Sequence, residues 1–305
     1  MTSTDAELEA LLDRIPVLQG LPRSVVDLHG GLTNRNLHVS TPGRDFVVRV
    51  FRGDPELLGI DRDAECYNTR AAAAAGVGPT VVDQLPDLGV LVIDYLEGRT
   101  LTNADFAEPG IIERVAAACR QLHGGPRFTG DFDMFNRQAR YLATVRDRGF
   151  PLFPRYTDFL EPFERLRGAL AVRPRPTVPC NNDLLAANFI DDGTRIWVID
   201  YEYSGNNDAC FELGNTATEC DLDCDEVEAL VTAYFGRLRR HELARVRLQS
   251  VVSEYGWALW GAIQAAASPI EADFHEWGES RFEKAASTFT SPVFARLLDE
   301  VGRDD

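Results

Sequence analysis

The spacing of apolar residues changes once along this chain, near Gly98, and that change limits the fold more than any other feature. Before it, short alternating runs recur at Val25 to His29, Asn36 to Ser40, Phe46 to Phe51, Thr80 to Gln84 and Val90 to Tyr95, the period-two signature of strands. Between the third and fourth, Asp61 to Ala75 is a run of good helix formers stopped by Gly76 and the Gly78-Pro79 pair. A first amphipathic helix is expected at about 5 to 15. Past Gly98 the pattern is helical, at about 110–123, 136–148, 155–170, 225–238, 241–267, 270–287 and 291–302, interrupted over 178–204. The order βββαββ followed by helices predicts an α+β fold of two lobes. A small antiparallel-sheet lobe spans 1–97 and a larger helical lobe spans 98–305, with a ligand cleft between them.

Composition narrows the chemistry. No stretch approaches the roughly 20 apolar residues that span a bilayer, and the N-terminus lacks the basic-then-apolar layout of a signal peptide, so a cytoplasmic protein is expected. A formal charge of −17 repels a nucleic-acid backbone and favours a small cationic ligand. Cys66, Cys119, Cys180, Cys210, Cys220 and Cys224 form no CxxC pair and read as buried reduced thiols, with a disulfide or structural zinc as the alternative. The five histidines, His29, His38, His123, His241 and His275, form no metal-like pair and read as structural. Of 31 basic residues only Lys284 is lysine, so any phosphate must be met by arginine, magnesium or backbone N–H groups.

The most informative stretch is Pro179 to Ser204, in which Asp183 is followed by Asn188 and then by an apolar strand, Ile196 to Ile199, ending in Asp200. Phosphoryl transfer needs a carboxylate to take the acceptor's proton and oxygen ligands to hold magnesium on a triphosphate. Asp183 supplies the first and Asn188 with Asp200 the second. The alternative is that these residues cap turns, as Asp191-Asp192-Gly193 is expected to do. Gly30 and Gly31, with Thr33 and Asn34, sit between two strands, where a Gly-Gly turn either closes a hairpin or aims N–H groups at a phosphate. Alternation in the third strand sets Val47, Arg49 and Phe51 against Val48 and Val50, and an arginine in so apolar a strand needs a partner or a ligand. Glu254, Trp257, Trp260 and Gln264 recur at helical spacing, which suits either core packing or an aromatic face for a quaternary ammonium.

Three of these motifs carry a resemblance. N-D-L-L-A-A-N-F with V-I-D-Y-E-Y-S, the G-G-L-T-N loop, and W-A-L-W-G-A-I-Q with the later E-S-R-F are similar to choline/ethanolamine kinases, relatives of aminoglycoside phosphotransferases with a protein-kinase-like fold. The resemblance runs from about Gly30 to Phe282. It implies Asp183 as catalytic base, Asn188 and Asp200 as magnesium ligands, and Glu202 as an auxiliary acid near the phosphates. It also implies Gly30, Gly31, Thr33, Asn34 and Arg49 around ATP, with Glu65 as the partner of Arg49. For the acceptor it implies Trp257 and Trp260 around a trimethylammonium group, with Glu219 facing the cation and Glu254 nearby. Ile93 to Gly98 would be the hinge that meets the adenine. Two positions depart from the pattern: Asn181 stands where the family usually has a scaffolding His, and Cys224 lies close to the place of a tyrosine. The expected activity is ATP- and Mg²⁺-dependent phosphorylation of choline or ethanolamine. The alternatives are an aminoglycoside, thiamine or other small-alcohol kinase, or a nucleotide-binding pseudokinase. Oligomeric state is not legible.

Overall fold

A computed structural model describes residues 3–28, 34–53, 55–270 and 272–303. Helix α1 (Ser3–Leu12) precedes three strands, β1 (Ser24–Leu28), β2 (Asn34–Thr41) and β3 (Arg44–Phe51). A single turn, α2 (Pro55–Leu58), leads into α3 (Arg62–Ala74), and β4 (Val81–Leu85) and β5 (Val90–Asp94) follow. Asp61 caps α3 by accepting from the N–H groups of Asp63 and Ala64, both at 3.0 Å. The five strands form one antiparallel sheet in the order β1-β2-β3-β5-β4, with Asn36 and Leu91 on either side of Arg49. One face is closed by Leu12, Ile15 and Leu18 packed on Leu37, Phe46 and Val48. The other carries Arg49 and looks toward α3 and the helical lobe.

Beyond β6 (Arg99–Thr100) come α4 (Ile111–His123), α5 (Met134–Arg148) and α6 (Leu160–Val172). Four short strands interrupt the helices: β7 (Thr177–Cys180), β8 (Phe189–Asp191), β9 (Ile196–Val198) and β10 (Gly205–Asp208). Helices α7 (Ala209–Glu219), α8 (Cys224–Phe235), α9 (Arg240–Ala267), α10 (Phe274–Thr290) and α11 (Pro292–Glu300) complete the chain. The expected turn at Asp191-Asp192-Gly193 joins β8 to β9, and Asp192 accepts from Thr194, Arg195 and Trp197.

Helix α7 was not expected. Its Gly, Asn and Thr residues are indifferent helix formers, and it exists because Cys210 to Glu219 are all buried and Asp208 caps its first turn. It lies hard against α9: a Cβ on Gly214 would come within 2.6 Å of the Ser250 backbone nitrogen. Helix α9, 28 residues long, is the axis of this lobe and is buried on almost every side from His241 to Gln264. No described helix is long and apolar enough to cross a membrane.

Candidate active site

The loop after β7 is held almost entirely by side chains that the chain supplies from α7 and from within the loop. The backbone N–H groups of Asn181 and Asn182 donate to the two carboxylate oxygens of Glu212 at 2.7 and 2.6 Å, and the Leu184 N–H donates to Asn215 Oδ1 at 2.6 Å. Asn182 takes a left-handed backbone (φ 70°), which asparagine tolerates better than most residues, and its amide donates to the carbonyls of Cys180, Tyr203 and Gly205. Asn181, the departure noted above, donates to the carbonyls of Ile199 and Asp200 and accepts from the Asp183 N–H at 3.1 Å. The scaffolding job is done by an amide. Asn188 closes the loop by donating to the Asp183 carbonyl at 2.7 Å, so its Oδ1 remains the uncommitted atom.

Asp183 thus stands on a fixed backbone, half-buried. Burial raises its pKa well above the ordinary aspartate value, and the charges of Glu219, Asp200 and Glu202 push the same way against Arg281. Asp200 follows β9 in a left-handed conformation (φ 64°) and accepts from Arg49 Nη2 at 2.8 Å. Arg49 also lies 3.3 Å from Glu65, its expected partner, and 4.0 Å from Glu202. Burial works against its charge, yet these acids hold the guanidinium above its ordinary value.

A second arginine shares those acids. Arg62 reaches Glu65 at 2.7 Å, Glu202 at 3.2 Å and Asn34 Oδ1 at 3.0 Å, with its guanidinium 4.2 Å from the Phe51 ring centre. Its position three residues before Glu65 on one helix face is the sequence signal for that pairing. Asn34 also donates to Glu202 at 3.0 Å. Gly30, Gly31 and Thr33, expected around the nucleotide, lie outside the described residues. Burial and the neighbouring Asp200 and Glu65 raise Glu202 to about 7, against the pull of Arg49 and Arg62.

Between the sheet and this loop lies a cleft lined by the polar Arg49, Asn188 and Asp200 and by the apolar Val47, Ile93, Leu96, Ile190 and Ile199. The residues from Asp94 to Gly98 border it as the connection between lobes.

On the expected acceptor side the side chains already have partners within the protein. Glu219 does not stand open to a cation: its buried carboxylate is paired with Arg281, whose Nε donates to Oε1 at 3.1 Å and whose guanidinium sits 3.8 Å from the Trp277 ring centre. Trp257 and Trp260 are 2% and 5% exposed and lie in the core, because α9 is enclosed rather than presenting one face. Trp260 donates to Tyr203 Oη at 2.8 Å and meets Trp277 edge-on, and Trp257 packs edge-on to Tyr203. Five of the six cysteines are buried, and Cys224, at the start of α8, is exposed. Arg281, Trp277 and Tyr203 were not singled out in sequence.

Glu254 accepts from Thr218 Oγ1 at 2.7 Å, and burial raises its pKa from 4.5 to about 7. Between those values the folded protein holds a proton that the unfolded chain has released, so this residue makes stability fall as pH rises from 4.5 to about 7. In a Glu254→Gln variant, denaturation midpoints measured across that window should decline less steeply than in the wild type. Equal slopes would mean Glu254 does not titrate there.

A sheet lobe and a helical lobe enclosing a cleft lined by an Arg–Asp pair beside a pinned Asp-x4-Asn loop define a phosphotransferase of protein-kinase-like fold. An aminoglycoside phosphotransferase of 17% identity shares this shape at a TM-score of 0.67 over 95% of this chain and 99% of its own. The family model for choline/ethanolamine kinase matches residues 25–233, and the chain belongs to that family. A choline/ethanolamine kinase family protein from Mesorhizobium loti is 34% identical, with a TM-score of 0.86 over 98% of this chain and 99% of that one. Ethanolamine kinase 2 of Rattus norvegicus is 28% identical over 83% of this chain and 73% of its own length.

Proposed function

We propose that the chain transfers the γ-phosphoryl group of ATP to the hydroxyl of a small amino alcohol, choline ahead of ethanolamine, with Asp183 as the base. The observation that carries this reading is Asp183 on a loop pinned by Glu212, Asn215 and Asn188, with Asn188 and the Arg49–Asp200 pair lining the cleft. A hydroxyl brought to Asp183 there would face a phosphate held beside Arg49.

The apolar lining of the cleft suits an adenine ring, with the connection at Asp94 to Gly98 alongside it, and Arg49 supplies the positive charge that a lysine-poor chain must draw from arginine. Asn188 Oδ1 and the Asp200 carboxylate are hard oxygen donors lining the same cleft, and the amide of Asn188 is already tied to the loop, so they fit a magnesium ion. When bound, that ion would offset charge on the transferring phosphoryl group. Asp183 orients the acceptor hydroxyl and takes its proton, Arg49 fixes Asp200, and Glu202 with Arg62 and Asn34 holds the strand-to-loop junction.

The acceptor side already binds one cation. Arg281 lies between the Glu219 carboxylate and the indole of Trp277, the pairing of charge and aromatic face that a quaternary ammonium selects. That supports choline over an uncharged alcohol. A polyamine sugar would call for more acids than Glu219 and Glu254. The three hydrogen bonds of Asn181 support turnover over a nucleotide-binding chain that has lost it. An ATP-consuming reaction also agrees with a cytoplasmic place of work.

ADP release measured with ATP, Mg²⁺ and each of choline, ethanolamine and an aminoglycoside tests this reading. The expected order of kcat/KM is choline, then ethanolamine, with the aminoglycoside at background. Preference for the aminoglycoside would overturn the acceptor class, and nucleotide binding without turnover on any acceptor would overturn the reaction.

A further inference from the structure

Three buried side chains that make no contact with the proposed substrates, one of them the loop-holding Glu212, converge in the core. His123 ends α4, Cys180 ends β7 and Glu212 lies in the first turn of α7. All three are buried, and one ligand atom from each falls within 4.8 Å of the others. His123 Nε2 is 3.6 Å from Cys180 Sγ and 3.7 Å from Glu212 Oε1. The second distance is too long for a hydrogen bond. Both are close to the edge of a tetrahedron around zinc, which ligand bonds of about 2.0–2.3 Å set at roughly 3.3–3.6 Å.

We propose that His123, Cys180 and Glu212 form a structural site for a zinc ion that ties α4, β7 and α7 together. The donor set, one imidazole, one thiolate and one carboxylate, is that of a borderline-soft divalent cation rather than of magnesium or calcium. The far ring nitrogen is already committed: His123 Nδ1 lies 2.7 Å from Tyr234 Oη, which fixes the ring and leaves Nε2 for the metal. Glu212 is likewise aimed, its oxygens held by the Asn181 and Asn182 N–H groups.

Charge and protons balance. Without an ion, the neutral Cys180 thiol lies in hydrogen-bond contact with His123 Nε2 at 3.6 Å. Binding M²⁺ forms the metal–sulfur bond and releases the thiol proton to solvent, and the thiolate and the Glu212 carboxylate then neutralise the dication.

The test uses the full chain, made without a histidine tag in zinc-supplemented medium and passed over a weak chelating resin. Elemental analysis should find one zinc per chain, and the cobalt-loaded protein should show an intense near-ultraviolet thiolate-to-cobalt band. Cys180→Ser should abolish that band and His123→Gln should lose the metal, whereas Asp200→Asn, in the other cluster, should keep both. If either of the first two variants fails to fold, the wild-type cobalt spectrum still decides. Zinc-free protein that takes up no cobalt with a thiolate band, or metal that persists in both variants, would overturn the site.

Discussion

Asp183→Asn should lower kcat by roughly 10²–10⁴-fold, the usual contribution of a positioned general base, while leaving ATP affinity in place. The substitution keeps the shape of the side chain and every backbone hydrogen bond that pins the loop, since none of those involves the carboxylate. What it removes is the proton acceptor. It also removes a carboxylate that burial and three neighbouring acids make costly to ionise, so the variant should unfold at the same temperature as the wild type or higher. In the wild type the acid limb of kcat/KM should fall above the ordinary aspartate range, because activity needs the ionised form and the free protein resists ionisation. A variant that turned over at the wild-type rate would remove Asp183 from the chemistry. A variant that lost activity together with its melting transition would say only that the loop had collapsed, and the ATP-binding measurement separates the two.

The second large effect is on folding. Arg49→Ala would leave Glu65, Asp200 and Glu202 facing one another with Arg62 as the nearest remaining cation. Breaking a buried ion pair by removing one partner costs about 3–5 kcal/mol, and Arg49 serves three acids at once. Denaturant midpoints should fall accordingly, with a partial return in Arg49→Lys, whose point charge reaches fewer acids than a guanidinium fork. A loss of about 1 kcal/mol or less, the range of exposed pairs, would mean that water or Arg62 takes over.

Much of the architecture was legible because it rests on local signals. Period-two runs gave the five strands within a residue or two, and Asp61 with Gly76 bracketed α3. The loop drew notice because an Asp, an Asn and a strand-borne Asp stand at a spacing that suits phosphoryl transfer, and the fold brings Asn188 and Asp200 to one cleft. Arg49 stood out because a charge in an apolar strand must be paired, and its pairing with Glu65 is present. What escaped is set by tertiary packing. Helix α7 has little intrinsic helix preference, and its buried surroundings decide its state. Glu212 and Asn215 work through backbone N–H groups far away in sequence, a role that no local periodicity carries. The indoles of α9 read equally as core packing or as a ligand face, because a periodicity cannot tell one covered side from four.

Helix α7 holds the Asp183 loop through Glu212 and Asn215, carries Glu219 at its far end, and is pressed onto α9 at Gly214. The proposed base, the proposed acceptor-side carboxylate and the axis helix are therefore joined in one packed unit. The sheet is clasped to that unit where Arg49 meets Asp200. A ligand that neutralises or competes for that clasp acts on both proposed substrates at once, so nucleotide and acceptor should bind with mutual dependence.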